Sequence, residues 1–441
     1  MPVMARRSYA LEMRTTLAFA FMLTCFETSV IGVVIKIRFE DVLDAGLLNL
    51  AVAIVASAKA FSNITSFVWV RLSHGADKVA FVGMLQVIML GMCALLALAF
   101  IPKTELGLWS IVVIIVLARC VWAGVITLRS TIWRQNYRRR ARARITGKIT
   151  AAQVVALGVI GAVFGLLMDR DPRFFYLFAG LAVVLGPIGV ISWRSMRVRR
   201  RKALASGERT ETEAAPTFNP LSMLRVLRAD RPFAHYMGCM FLLGSGNLMI
   251  PTLLPIMTRE RFGLDNFEGI LIASTIPALL MPLAIPVWAR MLDRMHVIHF
   301  RFIQCWFFFA AHALLLLAAI LREPAVLYAS SVVLGIAFGG GAIAWNLGHL
   351  DFAKPHQATQ YMGIHVTLTG VRGLLAPLLG VALYEILKQS GQGHFVLLIT
   401  LSLIALAAMG FLKARRGGSA PGDDNDPREE LEVAPPTRIS Q

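Results

Sequence analysis

The 441 residues are 57% hydrophobic and only 16% charged, with a mean hydropathy of +0.65. Soluble domains carry roughly 25% charged residues, so the composition argues against a soluble enzyme of this size. A formal net charge of +18 invites a nucleic-acid reading. It fails on placement, because the bases sit at the ends of apolar segments and beside no nucleic-acid motif.

In chain order, apolar runs long enough to cross a bilayer fall at 16–36, 46–70, 79–101, 108–131, 149–169, 174–193, 233–257, 269–289, 299–321, 326–348, 361–385 and 395–412. The fold class expected is an all-α integral membrane protein with twelve transmembrane helices. The runs are continuous and do not alternate, which excludes an outer-membrane barrel. The first run follows Arg6, Arg7 and Arg14 but lacks a small-x-small cleavage site, so it reads as an uncleaved span. Cys25, Cys93, Cys120, Cys239 and Cys305 lie inside apolar runs without C-x-x-C spacing. They read as buried thiols, with no disulfide framework or metal site.

Orientation follows from the loop bases. With the N-terminus inside, the inner segments hold thirty Lys and Arg and the outer ones nine, counting Lys36 at the edge of the first run. This asymmetry predicts both termini in the cytoplasm. The domains expected are an N-terminal six-helix bundle (1–193), a cytoplasmic linker (194–232), a C-terminal six-helix bundle (233–412) and a cytoplasmic tail (413–441). The centre of the linker, 205–216, is polar and predicted to be mobile, and the tail to be disordered. Asn219-Pro220 predicts the start of a short surface helix. Trp69, Trp109, Trp133, Trp193 and Trp288 lie near span ends and are expected to be interface anchors.

The two halves resemble one another. Val68-Trp69-Val70-Arg71 closes the second run, and Val287-Trp288-Ala289-Arg290 closes the eighth. Gly147 opens the fifth and Gly363 opens the eleventh. Phe174 and Phe395 open the sixth and twelfth. A duplicated six-span unit around a central site is a transporter layout.

On these residues the sequence resembles the major facilitator superfamily over nearly its whole length. That family carries an inner-loop motif, roughly G-x-x-x-D-R-x-G, after spans two and eight. Ala289 to His296 reads A-R-M-L-D-R-M-H, so Asp293 and Arg294 fit while Ala289 and His296 replace the glycines. The first copy, Val70 to Lys78, has no D-R pair. In span four the family's R-x-x-x-G is represented by Arg119 and Gly124, one residue longer. Gly158, Gly161 and Gly165 in span five lack the proline of drug/proton antiporters. The resemblance implies two bundles working by alternating access, with Asp293 and Arg294 as a cytoplasmic gate.

Ionisable groups at bilayer depth are costly and face a cavity or a partner. Glu27, Lys59, Arg119 and Arg372 stand mid-span, three bases to one acid. This balance attracts anions. The expected substrate-binding residues are Arg119, Arg372, Lys59, Asn247, Asn346 and Trp122, with Arg119 and Arg372 gripping a carboxylate or phosphate from opposite halves. Glu27 is the expected proton-coupling residue. A fixed salt bridge from Glu27 to Lys59 or Arg119 is the alternative.

The expected function is secondary active transport of an organic anion, with protons as possible co-substrate. The rivals are proton-driven efflux of hydrophobic or cationic compounds and a non-transporting membrane scaffold or sensor. No catalytic motif, cofactor or metal site is expected. The expected partners are a small-molecule substrate and membrane lipids, and the expected location is a bacterial inner membrane with the protein acting as a monomer.

Overall fold

The computed structural model describes residues 3–168, 170–171, 173–199, 201–210 and 216–416. Eleven helices among them are long and apolar enough to cross a membrane. The twelfth span is the first, which is broken into α1 (Val3–Ala18), α2 (Ala20–Cys25) and α3 (Thr28–Phe39). Span two is α4 (Ala45–Ile64) continued by α5 (Ser66–Leu72). Spans three to six are α6 (Lys78–Ala99), α7 (Glu105–Asn136), α8 (Arg139–Met168) and α9 (Phe174–Arg194). The linker contains α10 (Arg201–Thr210) and α11 (Met223–Ala229). The second half runs through α12 (Arg231–Glu260), α13 (Asn266–Ile270), a π-helical turn at Leu271–Thr275, α14 (Ile276–Arg294), α15 (Val297–Leu321), α16 (Pro324–Leu347), α17 (Ala358–Lys388) and α18 (Val396–Arg416). Asp44, Asp77, Thr104 and Asp230 cap α4, α6, α7 and α12 by accepting a backbone N–H. Short polar side chains at the apolar boundaries thus satisfy donors that a helix start leaves open.

The repeat is visible as matching contacts. Trp69 donates from Nε1 to the Cys120 carbonyl at 2.7 Å. Trp288, 219 positions later, donates to the Ile336 carbonyl at 2.8 Å. Span two is therefore tied to span four as span eight is tied to span ten. Gly147 admits Ile285 and Ala289 against its backbone, and Gly363 admits Val70. The glycines at these crossings let helices from opposite halves approach closely.

The hydrogen bonds between halves among the described residues all lie toward the end that carries the basic loops. Ser66 bonds the Gly363 carbonyl (2.8 Å) and Thr367 (2.7 Å), and Thr131 meets Thr359 at 2.8 Å. Arg134 reaches the carbonyls of Leu350 and Ala353. Deeper in the membrane, a Cβ on Gly370 would lie 2.6 Å from the Ile64 nitrogen, and one on Gly373 3.2 Å from Ala60 Cβ. The halves are thus closed on each other at the basic end.

Two expectations need correction. Residues 205–210, predicted mobile, belong to α10, and Glu208 on it is buried, because it finds Lys78 at the start of α6 and the Gly75 N–H in the loop before it. Residues 211–215 of that stretch, and 417–441 of the tail, lie outside the described residues. Trp133, Trp193 and Trp288 are buried rather than interfacial. Each indole N–H is spent on an internal acceptor, namely Glu12, the Val79 carbonyl and the Ile336 carbonyl respectively. At Asn219 a single turn at Pro220–Ser222 precedes α11, with Asn219 Oδ1 accepting the Leu221 N–H at 2.9 Å.

Candidate functional site

The first span breaks where Glu27 stands. Its backbone is extended (φ −69°, ψ 123°) between α2 and α3, and it occupies the N-cap position of α3. A carboxylate there is stabilised by the positive end of the helix dipole. It is also met by Arg119 of α7, whose Nη2 lies 3.1 Å from Glu27 Oε2. The two partners differ in exposure. The Arg119 side chain is 8% exposed and that of Glu27 is 36% exposed, so the base is anchored in the bundle while the acid reaches an open surface. Arg119 Nε is buried with no hydrogen-bond partner. The guanidinium therefore keeps donor capacity beyond the salt bridge.

Lys59 is exposed on α4. It sits two turns from Val52, on the same helix face, and Val52 packs against Gly32 of α3. Lys59 therefore lies on the side of α4 that faces the broken first span. Trp122, one turn beyond Arg119, is half-buried and packs into the N-terminal core.

In the other half, Asn247 Oδ1 is engaged by His312 Nε2 at 3.1 Å, and His312 Nδ1 meets Thr400 Oγ1 at 3.0 Å. Asn346 bonds back to the Ala342 carbonyl at 2.7 Å. Arg372 is buried in its own bundle. Its Nη1 donates to the Met240 carbonyl, its Nη2 reaches Thr369 at 3.2 Å, and its guanidinium fills the space beside Gly244. Arg119 and Arg372 are thus on opposite halves, as the sequence suggested, but Arg372 is directed at α12 rather than at Arg119.

At the basic end Asp293 crosses between halves. Its Oδ1 accepts the Ala143 N–H at 2.7 Å, and its Oδ2 accepts the Arg144 N–H at 3.1 Å and Arg144 Nε at 3.0 Å. Arg139 of the same helix reaches the Leu292 and Met295 carbonyls and pairs with Asp351 at 2.9 Å. Arg294 is exposed and makes no ion pair among the described residues.

In the first inner loop, His74 occupies the position matching Asp293, and the acid comes from the linker instead. Glu208 of α10 accepts from Lys78 Nζ at 2.7 Å and from the Gly75 N–H at 2.6 Å, while Arg209 holds the Gly75 carbonyl. Both members of the Lys78–Glu208 pair are about 3% exposed. Burial holds the His74 imidazole below its ordinary pKa. Lys78 and Arg71 act in the same direction, and Glu208 opposes them.

Sequence reasoning missed three features. Glu12 of α1 is buried and accepts from Arg129 (2.8 Å), Trp133 (2.7 Å) and Tyr137 (3.3 Å). Glu208 looked like one charge in a polar linker. Arg301 of α15 is buried beside Gln304. The i, i+3 spacing of Arg301 and Gln304 on an apolar helix was the available signal. No group of metal-ligating side chains gathers among the described residues.

Two helical bundles of six spans, closed at one end around mid-membrane charges, define a secondary-transporter fold. The family model of the Major Facilitator Superfamily matches residues 17–377, and the chain belongs to that superfamily. Solved structures agree on the fold. A structure of the proton:xylose symporter XylE bound to 6-bromo-6-deoxy-D-glucose is 12% identical, with a TM-score of 0.71 over 93% of this chain and 95% of that one. The human organic anion transporter MFSD10 is 14% identical, with a TM-score of 0.64 over 93% and 100%. A bacterial homologue of the iron transporter ferroportin, in an outward-facing state, is 10% identical, with a TM-score of 0.62 over 93% and 99%. No curated protein matches the sequence.

Proposed function

We propose that this superfamily member carries an organic anion by alternating access and that protons drive it through Glu27. The observation that carries the reading is the Glu27–Arg119 pair at the break of the first span. Arg119 has unspent donor capacity, and Lys59 adds a second base on the neighbouring face. An anion arriving at Arg119 competes with the Glu27 carboxylate, and protonation of Glu27 releases the guanidinium for it. Substrate and proton occupancy are thereby linked. Arg372 contributes positive field from the other half and becomes a direct ligand only if its guanidinium leaves the Met240 carbonyl. Asn247, Asn346 and Trp122 supply polar and aromatic contacts. The MFSD10 neighbour shares only a fold with this chain at 14% identity, so the anionic substrate rests on the charges, not on that likeness.

The basic end is read as cytoplasmic, from the thirty-to-nine distribution of loop bases. The closed contacts then describe a conformation open to the outside, in a bacterial inner membrane. The two halves, 1–193 and 233–412, rock about the α4–α17 contact, and one chain is sufficient. Asp293 holds the cytoplasmic gate, and the exposed Arg294 meets its partner in another state of the cycle.

The test is uptake by purified protein in liposomes across a pH gradient, using a panel of radiolabelled carboxylates and organic phosphates. Arg119→Gln removes the charged donor that would hold the anion, a loss of about 1.5–3 kcal/mol for a hydrogen bond to a charged group, or roughly tenfold or more in affinity. Glu27→Gln is expected to preserve exchange and abolish accumulation driven by the pH gradient. Undiminished anion affinity in Arg119→Gln would refute the anion site. Unchanged pH-driven accumulation in Glu27→Gln would refute the coupling role.

A further inference from the structure

A second acid–base pair joins the same two spans that carry Glu27 and Arg119. Arg129 Nε of α7 lies 2.8 Å from Glu12 Oε1 of α1. The same carboxylate accepts the indole N–H of Trp133 at 2.7 Å and the hydroxyl of Tyr137 at 3.3 Å. The Arg129 guanidinium also lies over the Trp133 ring, 4.6 Å from its centroid. The arginine is thus held by its Nε edge and by one face. Its Nη1 and Nη2 make no hydrogen bond among the described residues and are not sealed from solvent. A guanidinium held in this way presents its outer pair of amino groups, which suits a carboxylate or a phosphate.

Arg119, Trp122, Ile126, Arg129 and Trp133 follow one another at intervals of three, four, three and four, and so form one stripe along α7. From Val121 to Trp133 every residue is buried except Trp122, Ile126 and Arg129, so the accessible surface of this stretch is that stripe. The exposed apolar side chains of α7, Leu106, Val113 and Leu117, lie on a different side of the helix. Both arginines therefore look to the same side, about 15 Å apart along the axis. Their acids differ in access, since the Glu27 side chain is 36% exposed and that of Glu12 is 2% exposed. Just beyond Arg129, Thr131 and Arg134 make the contacts that shut the basic end against the other half.

We propose that Arg129 and Glu12 form a second anion station, the one that a substrate bearing a carboxylate or phosphate occupies before release at the basic end; this rests on the anion reading of Arg119. In the conformation described, the outer pair is accessible and the acid of the inner pair is sealed. Opening of the basic end parts the Thr131 and Arg134 contacts and uncovers Arg129. Each arginine is neutralised by its own carboxylate while empty, so neither stands as a bare charge in the membrane. An arriving anion takes the outer Nη groups and shares the guanidinium with that carboxylate, which keeps its hold weak enough for release. Trp122 and Ile126, between the two arginines, offer apolar surface to the organic part of the substrate.

The experiment reads the local charge preference with thiol reagents. An Ile126→Cys reporter, one turn from Arg129, is placed in the full chain lacking its five native cysteines and carrying Asp293→Ala to open the basic end. In vesicles with the basic face outward, anionic sulfonatoethyl methanethiosulfonate is compared with cationic trimethylammonioethyl methanethiosulfonate, each rate divided by that with free cysteine. The anionic reagent is expected to be favoured about threefold or more. Arg129→Gln should abolish or reverse the preference, Arg129→Lys should retain it, and Glu12→Gln, which removes the competing carboxylate, should raise it. Arg119→Gln, farther off than a Debye length, should leave it within about twofold. These reagents need no transported substrate, so the result is distinguishable from failure of the anion reading, which the uptake assay on Arg119→Gln decides. The Glu12→Gln comparison carries the test if Arg129→Gln does not accumulate as folded protein. An anion preference indifferent to both Arg129 and Glu12 would overturn the proposal, as would the absence of labelling at Ile126→Cys from the basic face.

Discussion

Asp293 offers the most direct handle on the conformational cycle. It is 6% exposed and binds the opposite half through two backbone N–H groups and one guanidinium N–H, at 2.7–3.1 Å. Those bonds exist only while the basic end is closed, whereas water solvates the carboxylate once it opens. Hydrogen bonds to a charged group contribute about 1.5–3 kcal/mol each net of that exchange, and three that share one carboxylate do not add in full. Asp293→Ala should therefore disfavour the closed gate by about 2–4 kcal/mol, or roughly thirtyfold to several hundredfold in population. Asp293→Asn keeps one acceptor oxygen and should cost less. Arg144→Gln, which spares both backbone bonds, should cost least. The assay is alkylation of an Ile285→Cys reporter in a background lacking the five native cysteines. Ile285 is 1% exposed and packs on Gly147 at the closed crossing. An impermeant maleimide applied from the basic face should label it faster in Asp293→Ala, while a Val159→Cys reporter gains nothing. Equal Ile285→Cys labelling rates with and without Asp293 would refute the reasoning.

Other outcomes follow from the same geometry. Glu208→Leu strands Lys78 in a buried site and should destabilise the closed end by about 3–5 kcal/mol; the Lys78→Met/Glu208→Leu double variant should recover most of the loss in Tm, and a purely additive cycle would show that the pair does not interact. Gly370→Leu has no room against Ile64 and Ala60, so it should leave the basic end open to maleimide; wild-type protection would contradict the contact. Burial lowers the pKa of His74 and of His296. Lys78 and Arg71 reinforce this at His74 against Glu208, while Arg139 and His299 reinforce it at His296 against Asp351. An opened or unfolded chain, with ordinary histidine pKa values near 6.5, therefore takes up protons first. The closed state should lose stability as pH falls below about 6.5 and be insensitive to these groups above about 7.5. Tm profiles of His74→Gln and His296→Gln should be flatter, and a wild-type slope matched in both variants would assign the effect elsewhere.

Local composition decided a great deal about this protein. Apolar run length and the punctuation of Asp, Thr and Pro at run ends determine where helices cross the membrane and where they start, because backbone polar groups in lipid must be satisfied within the helix. The Trp69/Trp288 and Gly147/Gly363 matches revealed the duplication, because the tryptophans make the same contact within each half and the glycines the same contact across to the other half. Asp293 was legible for a similar reason, since a carboxylate placed to meet a helix start leaves a short motif.

Which face each helix presents was decided only by the tertiary structure. A helix that is apolar all round has no polar stripe to set its rotation, so the mid-span charges could be placed in depth but not in direction. Glu27 does meet Arg119, because the first span breaks beside it. Arg372 turns into α12 instead, because Gly244 leaves room there and the Met240 carbonyl accepts its N–H. Glu208 reaches Lys78 across 130 positions, and Arg129 reaches Glu12 across 117. Such pairings arise when distant helices pack, and no local pattern encodes them.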